Sequence, residues 1–176
     1  MKDYNKVIIS GRIVHKFETN KGSFIITIND GTKNFVKVFI ADTHNISLIK
    51  NYNVNDNIEI EGNIQSTIRD DKKSVTIFCD RIYKCPQYDM RTKNEFIIQG
   101  TVKSISVLNH DCWRIVVATY VNNHYSVVPI IIYHPDVRLY PQEPDEKIFI
   151  RGVVQTVKKT NPETQQNFYY QNFVAK

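Results

Sequence analysis

"NKVIISGRIV" spans residues 5–14, and "NEFIIQGTVK" spans residues 94–103. Each opens on Asn, places an apolar residue two positions on, continues Ile-Ile, one polar residue, Gly, and ends with a β-branched residue two positions later. Aligning Gly11 with Gly100 sets an offset of 89 residues (100 − 11). "DNIEIEGNIQST" (56–67) then falls on "EKIFIRGVVQT" (146–156), pairing Gly62 with Gly152. Between these matches "FIITI" (24–28) meets "WRIVV" (113–117). Internal repetition of this kind indicates two copies of one structural unit, each of about 85 residues.

The segments of the unit alternate or run apolar and are rich in β-branched residues, which favours strands over helices. In the first copy strands are expected near 6–16, 23–29, 34–40, 57–66 and 73–83. "TNKGS", "NDGTKN" and "RDDKK" supply turn chemistry between them. "ADTHNISLIKNY" (41–52) reads differently: Asp42 or Thr43 is a candidate N-cap, and Ile46, Leu48, Ile49 and Tyr52 can cover one side of a short helix. Three strands, a helix and two strands is the order of an OB-fold, a five-stranded Greek-key barrel. The expected fold is therefore all-β: two tandem OB barrels, the first with a short helix between its third and fourth strands. The domain boundaries read 1–84, a semi-rigid polar linker at 85–93, and 94–176. In the second copy the helix position is "YHPDVRLYPQEPDE" (133–146), whose Pro135, Pro141 and Pro144 oppose a helix. A glycine inside a strand marks a bend, a bulge or a close backbone approach. That is the expected duty of Gly11, Gly62, Gly100 and Gly152.

The chain has 176 residues, 41% hydrophobic and 23% charged, with a formal net charge of +5. That suits a folded chain, and the mild basic excess permits a polyanionic partner without demanding one. Three cysteines exclude a complete disulfide framework, and buried thiols are expected. The N-terminus lacks the apolar core of a secretory signal, and no apolar run approaches the ~20 residues of a bilayer crossing. A cytoplasmic protein without membrane association is expected.

The residues also resemble a known family. "NKVIISGRI" looks like the opening strand, and "NDNIEIEGNIQS" the fourth strand, of bacterial and phage single-stranded DNA-binding (SSB) proteins. The resemblance covers residues 5–84 and, through the repeat, extends more weakly over 94–175. It implies binding of single-stranded DNA with little sequence preference, protecting exposed strands in replication, recombination or DNA transfer. Assemblies of that family present four OB barrels, which implies a homodimer here. The chain ends "QNFVAK" (171–176), so the family's acidic recruitment tail is not expected, and a phage, plasmid or mobile-element setting follows from that departure. The cytosol is then bacterial, or that of a phage's host.

OB barrels bind single strands by stacking bases on aromatic rings while cations follow the phosphates. In "NFVKVFI" (34–40) Val36, Val38 and Ile40 share one side of the strand and Phe35, Lys37 and Phe39 the other. The SSB resemblance places stacking residues on the second side. Arg12, Lys33, Arg69, Lys72 and Lys73 supply candidate phosphate contacts around it. In the second copy the candidates are Arg114, Tyr125, and Lys158, Lys159, Tyr169 and Tyr170 of "VKKTNPETQQNFYY" (157–170). Trp113, aligned near Phe24, is expected in the core. No HExxH, P-loop or GxSxG pattern occurs, and no metal or cofactor set is apparent, so no enzymatic activity is expected. Two other readings stay open at this level. One is an RNA-binding OB protein. The other is an OB-fold protein-interaction module of a replication or conjugation complex.

Overall fold

The computed structural model describes residues 2–69, 72–86 and 92–176; the side chains of Arg69 and Lys72, and residues 87–91 within the expected linker, lie outside the described residues. Strands β1 (Tyr4–Glu18), β2 (Phe24–Asn29), β3 (Phe35–Ile40), β4 (Asn57–Arg69) and β5 (Lys72–Lys84) form the first barrel. Strands β6 (Asn94–Asn109), β7 (Cys112–Val121), β8 (His124–Tyr133), β9 (Lys147–Thr160) and β10 (Asn167–Ala175) form the second. The pairings β1–β2, β2–β3, β3–β5 (parallel), β5–β4 and β4–β1 close the first barrel; β6, β7, β8, β10 and β9 close the second in the same way. This is the five-stranded Greek key expected from the sequence, present twice.

Alternation along each strand sends β-branched residues inward. Val7, Ile9 and Ile13 of β1, Ile26 and Ile28 of β2, and Val36, Val38 and Ile40 of β3 are buried. Trp113 is half-buried against the core, as Phe24 is fully buried within it. Helix α1 (Thr43–Lys50) lies between β3 and β4, with Asp42 as its N-cap accepting from the Asn45 amide at 3.0 Å. Ile49 is its buried anchor. The Lys16 ammonium donates to the carbonyls of Ile49 (3.1 Å) and Tyr52 (2.7 Å), satisfying groups that the helix end leaves unpaired. Between β8 and β9 the structure has turns and no helix, and Tyr140 packs against the core from that loop.

The four repeated glycines mark where strands cross closely. A Cβ on Gly11 would lie 2.1 Å from the Asn29 carbonyl oxygen, and one on Gly100 2.2 Å from that of Ala118. Gly62 and Gly152 stand in the same relation to Phe78 and Val174, each at 2.1 Å. Only a residue without a side chain fits there, which is why the spacing repeats.

Each barrel uses its first strand twice. The inner halves of β1 and β6 pair with each other antiparallel, Val7 opposite Phe96, while continuing into their own barrels through β4 and β9. Val7 and Phe96 are also repeat equivalents, so the two barrels are related by an internal two-fold through that pair. The register extends the equivalence: Asn29 pairs with Phe35, and its counterpart Ala118 pairs with Val127. The Phe35 amide donates to Thr156 Oγ1 at 2.7 Å, and the Val127 amide donates to Ser66 Oγ at 2.9 Å. Each barrel thus clasps the other through a backbone amide of its third strand.

None of the three cysteines forms a disulfide: Cys79 is buried, and Cys85 and Cys112 are half-buried, less enclosed than expected. Burial pushes the Cys79 thiol up to about 12. Among the described residues no helix is long and apolar enough to cross a membrane.

Candidate functional site

The outer side of β1, β2 and β3 is read directly from register. Arg12 lies opposite Asn29, which lies opposite Phe35. His15, Thr27 and Lys37 form the next row, and Phe17, Ile25 and Phe39 the third. Directly opposed residues share a face, so Arg12, Phe35, Lys37 and Phe39 lie on one surface. Arg12, Phe35 and Lys37 are exposed. Phe39 is different: it is half-buried, edge-on to Phe78 with ring centroids 5.0 Å apart. Part of that ring is committed to packing.

Lys37 also lines a groove of about 660 Å³ that runs between the two barrels. Ser74, Val75 and Thr76 of β5 complete its first-barrel side. The second barrel contributes Leu108, Arg114, Pro129, Ile131, Tyr133, Tyr169 and Tyr170, with the β10 segment down to Phe173. Among the described residues lining it there is no Asp or Glu. Two cations and three tyrosines, all exposed, therefore meet an apolar floor without a competing carboxylate. The Lys37 amide is hydrogen-bonded to Gln171 Oε1, which ties β3 to β10 at the groove.

The β9–β10 hairpin projects beyond the barrel, so its side chains on both sides are exposed. Lys158 stands opposite Tyr169, and Lys159 opposite Phe168. A cation is thereby paired with a ring at two successive rungs. In the first barrel the corresponding hairpin has Lys73 opposite an exposed Ile68, with no aromatic ring.

Of the sequence candidates, Lys37, Arg114, Tyr169 and Tyr170 line the groove. Arg12, Phe35 and Phe39 lie on the outer face beside Lys37, and Lys158 and Lys159 on the hairpin beside the tyrosines. Lys33 and Lys73 are exposed outside the groove lining. Tyr125 pairs with Tyr120 at the far end of the β7–β8 hairpin and is not brought to the groove. Sequence reasoning missed Tyr133 and Leu108. Tyr133 shares its outward alternation with Tyr125, Val127, Pro129 and Ile131, a signal that was available. Leu108 sits at the end of β6, where nothing in the sequence distinguishes it.

Compared with solved structures, the chain matches two crystal structures of the single-stranded DNA-binding protein from Thermus aquaticus. A deletion variant superimposes with a TM-score of 0.72 over 99% of this chain and 92% of that one, and the wild type with 0.70 over 99% and 91%. The two proteins share a fold. Sequence identity is 10% in both cases, so the likeness is one of tandem OB architecture. No protein-family model and no curated protein sequence matches the chain.

Proposed function

We propose that this tandem OB protein binds single-stranded DNA with little sequence preference, the strand entering the groove between the barrels. One observation carries the reading: Lys37, Arg114, Tyr133, Tyr169 and Tyr170 converge on one cavity whose described lining holds no carboxylate. Aromatic rings stack on any base, at roughly 1–3 kcal/mol per base, and cations follow the phosphates. Two or three stacked bases give useful affinity despite a net charge of only +5. The Thermus protein of the same fold is itself described as a single-stranded DNA-binding protein, which supports the reading. The role is protection of exposed strands in replication, recombination or DNA transfer, in a phage, plasmid or other mobile-element setting. Two chains would present four barrels.

Fluorescence anisotropy with thymidine and uridine oligonucleotides, at low and at moderate salt, tests the proposal. Binding to oligo-dT that weakens with salt is expected. Absence of binding to either oligonucleotide at low salt overturns it. Tighter binding to uridine assigns the groove to RNA instead.

A further inference from the structure

The internal two-fold relates the two walls of the groove to each other: both members of the equivalent pairs Lys37 and Pro129, Ser74 and Tyr170, and Thr76 and Asn172 line it. By strand register, Lys37 corresponds to Pro129 and Arg114 to Ile25. Tyr169 and Tyr170 correspond to Lys73 and Ser74, since the pairs Lys158–Tyr169 and Val157–Tyr170 fall on Ile68–Lys73 and Thr67–Ser74. The groove is therefore its own counterpart, and its two walls differ: the first barrel supplies Lys37 where the second has Pro129, and the second supplies Tyr170 where the first has Ser74. A groove whose walls are two-fold equivalents occurs once per chain, and its cations and rings come unequally from the two barrels.

It is also divided between the barrels. Lys37 comes from β3 of the first; Arg114, Tyr169 and Tyr170 come from β7 and β10 of the second. The relation between those strands is held by the β1–β6 ladder, by the Phe35–Thr156 and Val127–Ser66 bonds, and by the Lys37–Gln171 contact. A site held in place by backbone ladders needs little reorganisation to bind.

We infer that the chain carries one composite single-strand site built across both barrels, rather than one site in each. This rests on the single-strand reading above. The repeated architecture would then serve to supply two walls of one groove, and the first barrel's β3 would act through the second barrel's aromatic hairpin.

The test is a stoichiometric titration of the full chain with a thymidine oligonucleotide of about six nucleotides, within the ~4–16 that one OB barrel covers. One oligonucleotide per chain and a single transition are expected. Lys37→Ala and Tyr169→Ala, both at exposed positions, should each move the whole isotherm to weaker binding, about 5- to 150-fold for the lost ring. Circular dichroism and melting of both variants confirm that they are folded. Saturation at two per chain, with each variant leaving half the signal at its original affinity, overturns the composite site. So does a shift in only one of the two variants, which would place the site within one barrel. Absence of all oligonucleotide binding at low salt overturns the single-strand reading itself, and is distinct from both of those results.

Discussion

Asn94 and Val154 exchange two hydrogen bonds of 2.8 Å each, the side-chain amide donating to the Val154 carbonyl and the Val154 amide donating back to Oδ1. Asn5 makes the same exchange with Ile64, at 2.6 and 2.9 Å. The β6–β9 ladder ends at Phe96 opposite Gly152, and the β1–β4 ladder at Val7 opposite Gly62. Each Asn side chain continues its ladder by one more rung, at a point where its own backbone pairs with the other barrel. A side-chain amide has the same donor and acceptor as a peptide unit and can stand in for one.

Removing that rung leaves a strand amide and carbonyl without their partner. Asn94→Ala is expected to cost about 2–3 kcal/mol, read from urea unfolding at neutral pH. Asn5→Ala should cost less. Asn94 also donates to Asp30 at 2.7 Å, whereas the second contact of Asn5, to Thr119, is 3.4 Å long. Equal losses in the two variants would argue against the Asp30 contribution.

Gly62→Ala places a methyl group 2.1 Å from the Phe78 carbonyl oxygen, which is backbone and cannot swing away. A loss of about 3 kcal/mol or more is expected, the upper range for overpacking. Gly22 has φ +78° but open space around it, so Gly22→Ala should cost only the left-handed strain of roughly 1–2 kcal/mol. Thermal melts of the two variants separate the causes.

Stability should fall in acid through Asp30. Burial raises its carboxyl pKa, but hydrogen bonds from Thr32, Asn94 and Asn34 outweigh this and hold it below the ordinary aspartate value of 3.8. A depressed acid stabilises the fold above its unfolded pKa, and that stability is lost as pH falls through the folded value. The urea midpoint should therefore drop below about pH 4. Asp30→Asn, already less stable at pH 7, should show a shallower decline.

Tyr133→Ala and Tyr169→Ala should weaken oligo-dT binding with the melting temperature nearly unchanged, because both rings are exposed. Tyr120→Ala, equally exposed but outside the groove, should bind like the parent. Phe39→Ala should instead lower the melting temperature, since it removes the edge-on contact with Phe78.

The salt dependence of binding reports the cations. Arg114→Ala should reduce the slope of log K against log salt by about 0.7, the value for one phosphate contact on a single strand. Lys33→Ala, whose side chain is exposed outside the groove lining, should leave the slope as it is.

The amino-acid sequence by itself determined the architecture. Alternation of β-branched residues, the four spaced glycines, Asp42 as a cap and three prolines in the second copy each act locally, through sterics and hydrogen bonds within a few residues. They were enough to read two OB barrels and a single helix between the third and fourth strands of the first. The sequence also exposed Asn5 and Asn94 as the first matched residues, but not their work, because Ile64 and Val154 are brought to them only by barrel closure. The groove belongs entirely to tertiary structure. Lys37 and Tyr169 lie more than a hundred positions apart, and the β1–β6 ladder sets the angle at which their barrels meet. Side-chain alternation says which residues point outward; only the packing of one barrel on the other decides which of those outward residues face each other.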